Sequence, residues 1–128
     1  MKEIIHNPTS GIYAATPDYV HALEAREFSR WLFIAGTMGL AEDGSAPKTL
    51  DEQLELIWKN IRTILAQANM TTDNIVRVTS YLRDPAYVEA NGAARVRALG
   101  NRRVPTTALI AQTLSPDWLV ESEAVAVA

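Results

Sequence analysis

Two carboxylates lie close together near the end of the chain, in the segment VESEAVAVA. Glu121 and Glu123 are two residues apart, and residues at that spacing in a β-strand point to the same face of the sheet. Most charged side chains on strands are solvated, whereas a carboxylate held in a sheltered cleft can serve as a general acid or base. The pair therefore indicates either a solvent-exposed sheet face or a functional site that needs a carboxylate.

The composition indicates one globular domain spanning residues 1–128. Hydrophobic residues make up 48% of the chain and charged residues 21%, which is ordinary for a globular protein of single-domain length. The formal net charge is −3 and the isoelectric point is near 5.3. Because such a charge does not attract polyanions, we expect neither nucleic acid nor a membrane as a partner.

Several kinds of site are excluded by residues that the chain lacks. It contains no Cys, which removes disulfides, thiolate metal sites and a cysteine nucleophile. Its two histidines, His6 and His21, are separated in sequence, so we predict no metal and no cofactor. The N-terminal segment MKEIIHNPTSG lacks the apolar core of a secretory signal, and no apolar run is long enough for a membrane span. The expected location is the cytoplasm.

The segment TLDEQLELIWKNIRTILAQANM predicts an amphipathic helix. Thr49 and Glu52 have the spacing of a capping box at its start. Its apolar residues repeat at helical spacing and form one stripe, made of Leu54, Ile57, Trp58, Ile61, Ile64, Leu65 and Ala68. A helix with one apolar side packs on a flat surface such as a sheet.

The following segments predict a strand and a second helix. NIVRVTSYLRD alternates, with Val76, Val78, Ser80 and Leu82 on one face. Asp84 then has the position of an N-cap and Pro85 that of the first helical residue, and Gly100 is a stop signal. Gly92 lies inside this helix, where glycine is less favourable than alanine. It indicates either that another backbone approaches closely at this position or that the helix tolerates the loss of stability.

The remaining apolar runs predict further strands, in GIYAA, YVHALEA and WLFIAGT before the first helix and in residues 106–111 and 119–127 after the second. The order predicts an α+β layer with both helices on one sheet face. The opposite face would expose apolar positions such as Leu109 and Val125, and no segment remains to cover them. We therefore predict self-association.

In this order the segments FIAGTMGL, IVRVTSYLRD, VPTTALIA and VESEAVAVA resemble the RidA/YjgF family of reactive-intermediate deaminases over almost the whole chain. The resemblance implies a chorismate-mutase-like α+β fold of the bacillus type, with a mixed sheet. It also implies a homotrimer that binds small molecules in clefts between subunits. The implied activity is hydrolysis of enamines and imines derived from amino acids, which releases ammonia and a 2-oxo acid.

The resemblance also assigns site residues. Glu121 matches the carboxylate that handles water, and it would exchange a proton with water in a screened cleft. Tyr19 matches a pocket aromatic and Asn91 an Asn of the second helix. Three residues match a Ser-Gly-Gln motif with only the glycine kept, namely Ala35, Gly36 and Thr37. Glu123 is expected to pair with a basic group across a subunit interface.

The substrate-binding arginine of the family is replaced by Thr107. Arg103 is four residues earlier, about 13 Å away along an extended strand, which is beyond the reach of its side chain. Replacement from a neighbouring subunit by Arg77, Arg95 or Arg97 stays open. A hydrogen bond to a charged group contributes about 1.5 to 3 kcal/mol, so loss of the arginine would lower activity on a carboxylate roughly ten- to several-hundred-fold.

Two hypotheses follow from the sequence. The first is a RidA-like hydrolase that deaminates imine or enamine intermediates, with a substrate preference altered by Thr107. The second is a non-catalytic trimer of the same fold that binds a small metabolite or has a regulatory role. A ribonuclease is disfavoured by the acidic charge and by the absence of a basic run longer than Arg102-Arg103.

Overall fold

The computed structural model describes all 128 residues, which form two α-helices and six β-strands. The helices are α1 (Leu50–Gln67) and α2 (Val88–Ala98). The strands are β1 (Lys2–His6), β2 (Ala22–Arg26), β3 (Trp31–Met38), β4 (Ile75–Leu82), β5 (Thr106–Ile110) and β6 (Val120–Val127). Neither helix is long and apolar enough to cross a bilayer.

A four-stranded sheet forms the centre of the fold, in the order β3-β6-β4-β5. β6 is antiparallel to both of its neighbours, and β4 and β5 are parallel. Parallel strands need a crossover connection, which α2 supplies. Residues of both helices join one core with the same sheet face, so the predicted mixed α+β architecture is confirmed. β1 and β2 form a separate antiparallel ribbon.

Helix α1 covers the sheet with the predicted apolar stripe. Thr49 caps its start by accepting a hydrogen bond from the Glu52 amide at 3.3 Å, while the Thr49 hydroxyl donates to Glu52 Oε1 at 2.8 Å. The buried members of the stripe are Leu54, Ile57, Trp58, Ile61 and Leu65. Ile64 was predicted to belong to the stripe, and this is wrong. It lies at the edge of the stripe, exposed beside the end of β3.

The end of β3 is fixed against α1 by close backbone contacts. Gly39 passes so near the backbone of Gln53 that a Cβ atom at this position would clash with it. The Asn60 side-chain amide donates to the carbonyl oxygens of Met38 at 3.1 Å and Leu40 at 3.0 Å. These contacts hold the strand end in place without using side chains of its open face.

Two details of the predicted strands are wrong. GIYAA contains no strand, because Gly11 has a positive φ of 77° and Tyr13 is exposed without a sheet partner. The strand that pairs with β2 is instead formed by Lys2–His6. In β4 the alternation breaks at its start, since the pairing with β6 shifts between Ile75 and Arg77. Ile75 is therefore in the core, and Val76 lies on the opposite side.

The second helix begins later than its signals suggest. Asp84 caps a 3₁₀ turn, Pro85–Tyr87, by accepting from the Ala86 amide at 2.8 Å, and α2 follows it. Gly100 lies just past the helix with a φ of +59°, as its stop signal predicts. A Cβ atom at Gly92 would meet no atom closer than 3.8 Å, so this glycine is tolerated rather than required by a neighbouring backbone.

The sheet face opposite the helices is open and carries large apolar side chains. Phe33 is 74% exposed and Trp31 58% exposed. The two rings are parallel within 3°, with their centroids 5.8 Å apart. Contiguous exposed aromatic surface of this kind is typical of a protein interface, which supports the predicted self-association.

Substitution of Phe33 by Asp tests whether this face is the interface. We expect the wild-type chain to sediment with the mass of three copies and Phe33→Asp to sediment with a smaller mass, because a charge would be buried without a partner. Tyr13→Asp is the matched control, since Tyr13 is also 74% exposed but lies outside the sheet. A monomeric wild-type chain at micromolar concentration, or equal effects of the two variants, would contradict the prediction.

The segment before β2 is held against α2 by a nearly buried guanidinium. The Arg95 side chain is only 5% exposed, and it donates to the carbonyl oxygen and to Oδ2 of Asp18, both at 2.6 Å. Arg103 donates to the carbonyl oxygen of Pro17. A hydrogen bond from Thr16, and the Arg95 guanidinium, lower the pKa of Asp18 against the opposing effect of burial.

Asp18→Asn should lower the free energy of unfolding at pH 7 by about 1 kcal/mol, a small effect because the Asp18 side chain is 42% exposed and solvent screens the ion pair. The contribution of a carboxylate with a lowered folded-state pKa is present above the pKa of the unfolded chain and is lost as the pH falls. The difference between wild-type and variant stabilities in urea should therefore shrink as the pH falls below the ordinary aspartate pKa of 3.8 and through the lowered folded-state pKa. An equal difference at pH 3 and pH 7 would show that the charge of Asp18 contributes nothing.

Candidate functional site

The Glu121 side chain lies against a β-bulge in β3. The pairing of β3 with β6 shifts between Ile34 and Thr37, which leaves Ala35 and Gly36 as the irregular residues. A Cβ atom at Gly36 would be 2.5 Å from Glu121 Oε2 and 2.9 Å from its Cδ. The carboxylate therefore occupies space that only glycine leaves free, and it is half-buried.

A guanidinium lies beside Thr107. Arg77 is on β4, and its Nη2 donates to Thr107 Oγ1 on the adjacent strand β5 at 3.2 Å. Arg77 forms no ion pair within the chain, whereas the four ion pairs of the structure use other residues. The hydrogen bond uses one of the five donors of the guanidinium, so the others are free for a ligand.

Of the arginines that the sequence offered as replacements, only Arg77 reaches the side chain of Thr107. It comes from the same chain as Thr107, although the sequence suggested a neighbouring subunit as its source. Arg95 is bound to Asp18, and Arg103 is bound to Pro17 and Asn101. Arg97 is exposed on α2, on the side of the sheet that the helices cover.

Glu123 has a hydrogen-bond partner within its own chain. The Tyr81 hydroxyl on β4 donates to Glu123 Oε1 at 2.7 Å. This bond, with smaller effects of burial and of the charges of Glu123 and Glu121, raises the pKa of Tyr81. Tyr81 therefore stays protonated at neutral pH and holds the carboxylate in one position.

A cavity of about 390 Å³ opens on this face of the sheet. Its polar lining consists of Arg77, Thr79 and Glu123, and its apolar lining of Phe33, Ile34, Ala35, Ala124 and Val125. The volume is within the range of small-molecule sites, and a few polar groups among apolar ones are typical of them. The cavity can hold a small carboxylate with an apolar substituent.

The two ends of the candidate site are far apart in one chain. The Glu121 carboxylate lies over Gly36 on β3, and the Arg77 guanidinium lies at Thr107 on β5, with β6 and β4 between them. Three strand spacings of about 4.8 Å separate the backbones of Gly36 and Thr107 by roughly 14 Å. Within one chain, the cavity that Arg77 borders is lined by Ala35 but not by Glu121.

Three other predicted site residues point away from Glu121 or lie at a distance. Thr37 pairs with Ser122, whose buried side chain faces the helices, and the Thr37 hydroxyl donates to the Ala35 carbonyl oxygen at 2.9 Å. Asn91 is buried in α2 on the covered side of the sheet. Tyr19 lies before β2, with its ring against the edge of His21. Within one chain, the structure therefore brings together Ala35, Gly36 and Glu121 but not these three residues.

Tyr81 and Phe33 were not singled out for the site from the sequence, and Arg77 was considered only as a residue of a neighbouring subunit. Their common signal is alternation, because Arg77, Thr79 and Tyr81 occupy one face of β4 and Glu121 and Glu123 the same face of β6. Which strands are neighbours cannot be read from alternation alone. No three His, Asp or Glu side chains are grouped closely enough to hold a metal ion.

Comparison with known proteins supports the resemblance. The family model described as Endoribonuclease L-PSP matches residues 10–128. The RutC family protein YjgH of Escherichia coli is 39% identical over 54 residues, which are 42% of this chain and 41% of that protein. A RutC family protein of Aquifex aeolicus is 39% identical over 62 residues, which are 48% of this chain and 50% of that protein. These alignments span half or less of the relatives.

A solved structure matches over the complete chain. It is the protein YyfB of Yersinia pestis, described as a protein of unknown function of the conserved Rid family, with 27% identity and a TM-score of 0.85 over 100% of both chains. The match includes the helical layer and the four-stranded sheet that carry the candidate site. The chain therefore belongs to the RidA/YjgF family, whose family model is described as Endoribonuclease L-PSP.

Proposed function

We propose that this protein hydrolyses 2-imino acids or their enamine tautomers to 2-oxo acids and ammonia. The observation that supports the proposal most strongly is the Arg77 guanidinium beside Thr107, free of any ion pair. It stands at the position where Thr107 replaces the family arginine, and it supplies the cation that a carboxylate substrate needs. The substrate preference changes because the cation is carried by β4 instead of β5.

Glu121 handles water in this proposal. Its carboxylate accepts a proton from water while the oxygen of that water forms a bond to the imine carbon, and the imine nitrogen takes up a proton from solvent as the C=N π bond breaks. Glu121 then passes its proton to the amino group of the tetrahedral intermediate, ammonia leaves as the hydroxyl becomes the carbonyl, and the hydroxyl proton goes to solvent. Water and imine are consumed and 2-oxo acid and ammonia are formed, with no redox step and no cofactor.

The cleft that joins these groups is formed by two copies of the chain. β3 and β5 are the two edges of the sheet, so Glu121 and Gly36 lie near one edge and Arg77 and Thr107 near the other. If copies associate with unlike edges together around a three-fold axis, Arg77 of one copy comes close to Glu121 of the next. Three such clefts would form in a homotrimer, as the family resemblance implies.

Single substitutions test the two roles. Arg77→Gln should lower kcat/KM roughly ten- to several-hundred-fold by removing the charged contact to the substrate carboxylate. Glu121→Gln should lower kcat about a hundredfold or more by removing the base. Arg97→Gln is the control for loss of an arginine, since Arg97 is exposed on α2. The assay is ammonia release from 2-imino acids generated by an amino-acid oxidase.

Mixed trimers of these two variants test the cleft between copies. Two differently tagged chains, one with Arg77→Gln and one with Glu121→Gln, are co-expressed and purified on both tags. In any mixed trimer with unlike edges paired, one of the three clefts has both native residues, so about one third of the wild-type rate should return. No recovery would place both residues in one chain. No acceleration by the wild-type chain would leave the non-catalytic binding protein as the better hypothesis.

Gly36→Ala tests the contact between the β-bulge and Glu121. The added Cβ would lie 2.5 Å from Glu121 Oε2, so the flexible carboxylate must move. We expect a ten- to hundredfold fall in kcat, the order expected for a misplaced catalytic group, with little loss of stability. Gly92→Ala, which meets nothing closer than 3.8 Å, should leave kcat unchanged. Unchanged kcat in Gly36→Ala would show that the position of Glu121 is irrelevant to the reaction.

A further inference from the structure

Arg77 and Glu123 form an opposite-charge pair that the fold holds apart. Arg77 lies directly opposite Val125 on β6, and Glu123 is two residues from Val125 on the same face. This diagonal relation places their Cα atoms about 7 to 8 Å apart, within reach of two long side chains. They form no ion pair, because Arg77 donates to Thr107 and Glu123 accepts from Tyr81.

Both charges border the 390 Å³ cavity. One side of the cavity therefore offers guanidinium donors, and another offers a carboxylate oriented by a tyrosine. An ionised carboxylate only accepts hydrogen bonds, and a guanidinium only donates them. The complementary ligand has a carboxylate and, one or two atoms away, a nitrogen that carries protons.

Building on the proposed function, we propose that Glu123, positioned by Tyr81, binds the nitrogen of the substrate. The carboxylate of an α-amino acid or of a protonated 2-imino acid is held by Arg77, while its N–H groups donate to Glu123. The apolar lining, which includes Phe33 and Val125, accommodates an aliphatic or aromatic side chain. Glu123 is thus a specificity residue for the nitrogen, and Glu121 of the neighbouring copy handles water.

This arrangement distinguishes the substrate from the product. A 2-oxo acid presents a carbonyl oxygen where the substrate presents N–H, so two acceptors face each other at Glu123. The carboxylate therefore favours the nitrogen-containing ligand and weakens binding of the product after ammonia has left. The preference depends on binding alone and can be measured with compounds that do not react.

The test compares L-leucine with 4-methyl-2-oxopentanoate by isothermal titration calorimetry at pH 7, since the two share one side chain. The wild-type protein should bind L-leucine about tenfold more tightly or better, the range for a charge-assisted hydrogen bond. Glu123→Gln should bring the two dissociation constants within about threefold of each other. Tyr81→Phe leaves the Glu123 carboxylate in place but removes the hydrogen bond that fixes its position. The ratio of the two dissociation constants in this variant should lie between the ratios of the wild-type protein and of Glu123→Gln.

Glu55→Gln is the control for the change in net charge, because Glu55 is exposed on α1 and lies away from the open face. Its ligand preference should equal that of the wild-type protein. Equal binding of the two ligands by the wild-type chain, or a preference that survives Glu123→Gln in a folded protein, overturns the inference. A preference for L-leucine that depends on Glu123, without any hydrolysis of imines, supports the inference while it contradicts the proposed function.

Discussion

The pleat of the sheet is the constraint on which the site depends. Two helices cover one face, so alternate residues of β4 and β6 are buried beneath them and the intervening residues all point to the other face. Arg77, Tyr81, Glu121 and Glu123 stand on that open face because their neighbours Val78, Ser80 and Ala124 are needed in the core. A shift of either strand by one residue would place charges under the helices, where their burial would be costly.

The charges on this face remain available because hydroxyl groups occupy the contacts that they would otherwise make with each other. Thr107 receives a donor of Arg77, and Tyr81 donates to Glu123. Glu121 is turned toward the bulge of β3 by the absence of a side chain at Gly36. Three separate local contacts therefore keep one cation and two carboxylates apart on a small area of sheet, with Phe33 and Trp31 as the apolar part of the same surface.

Helices and strands could be predicted from the sequence where the spacing of apolar residues shows which side chains are buried. The stripe of α1 apart from Ile64, the alternation of β4 after its start and of β6, and the capping by Thr49 follow from local spacing, and the structure contains them. The ribbon strand Lys2–His6 was missed because its side chains are mostly exposed and give no apolar period. The prediction of a strand in GIYAA is wrong because apolar content alone does not show that a partner strand exists.

The candidate site was predictable only in the residues that match a motif of the family. Glu121 and Gly36 could be placed by the family resemblance, whereas the approach of Arg77 to Thr107 depends on the parallel pairing of β4 with β5, which are separated by a helix in sequence. Long-range pairing of this kind leaves no periodic signal in either strand. The same holds for Tyr81 and Glu123, which are 42 residues apart.

A crystal structure of the assembled protein with L-leucine bound is the most direct test of the account. It should show the ligand carboxylate on Arg77 of one copy, with Glu121 of the neighbouring copy facing the same cleft. A structure in which Glu121 points into bulk solvent, with no neighbouring copy opposite Arg77, would contradict the account.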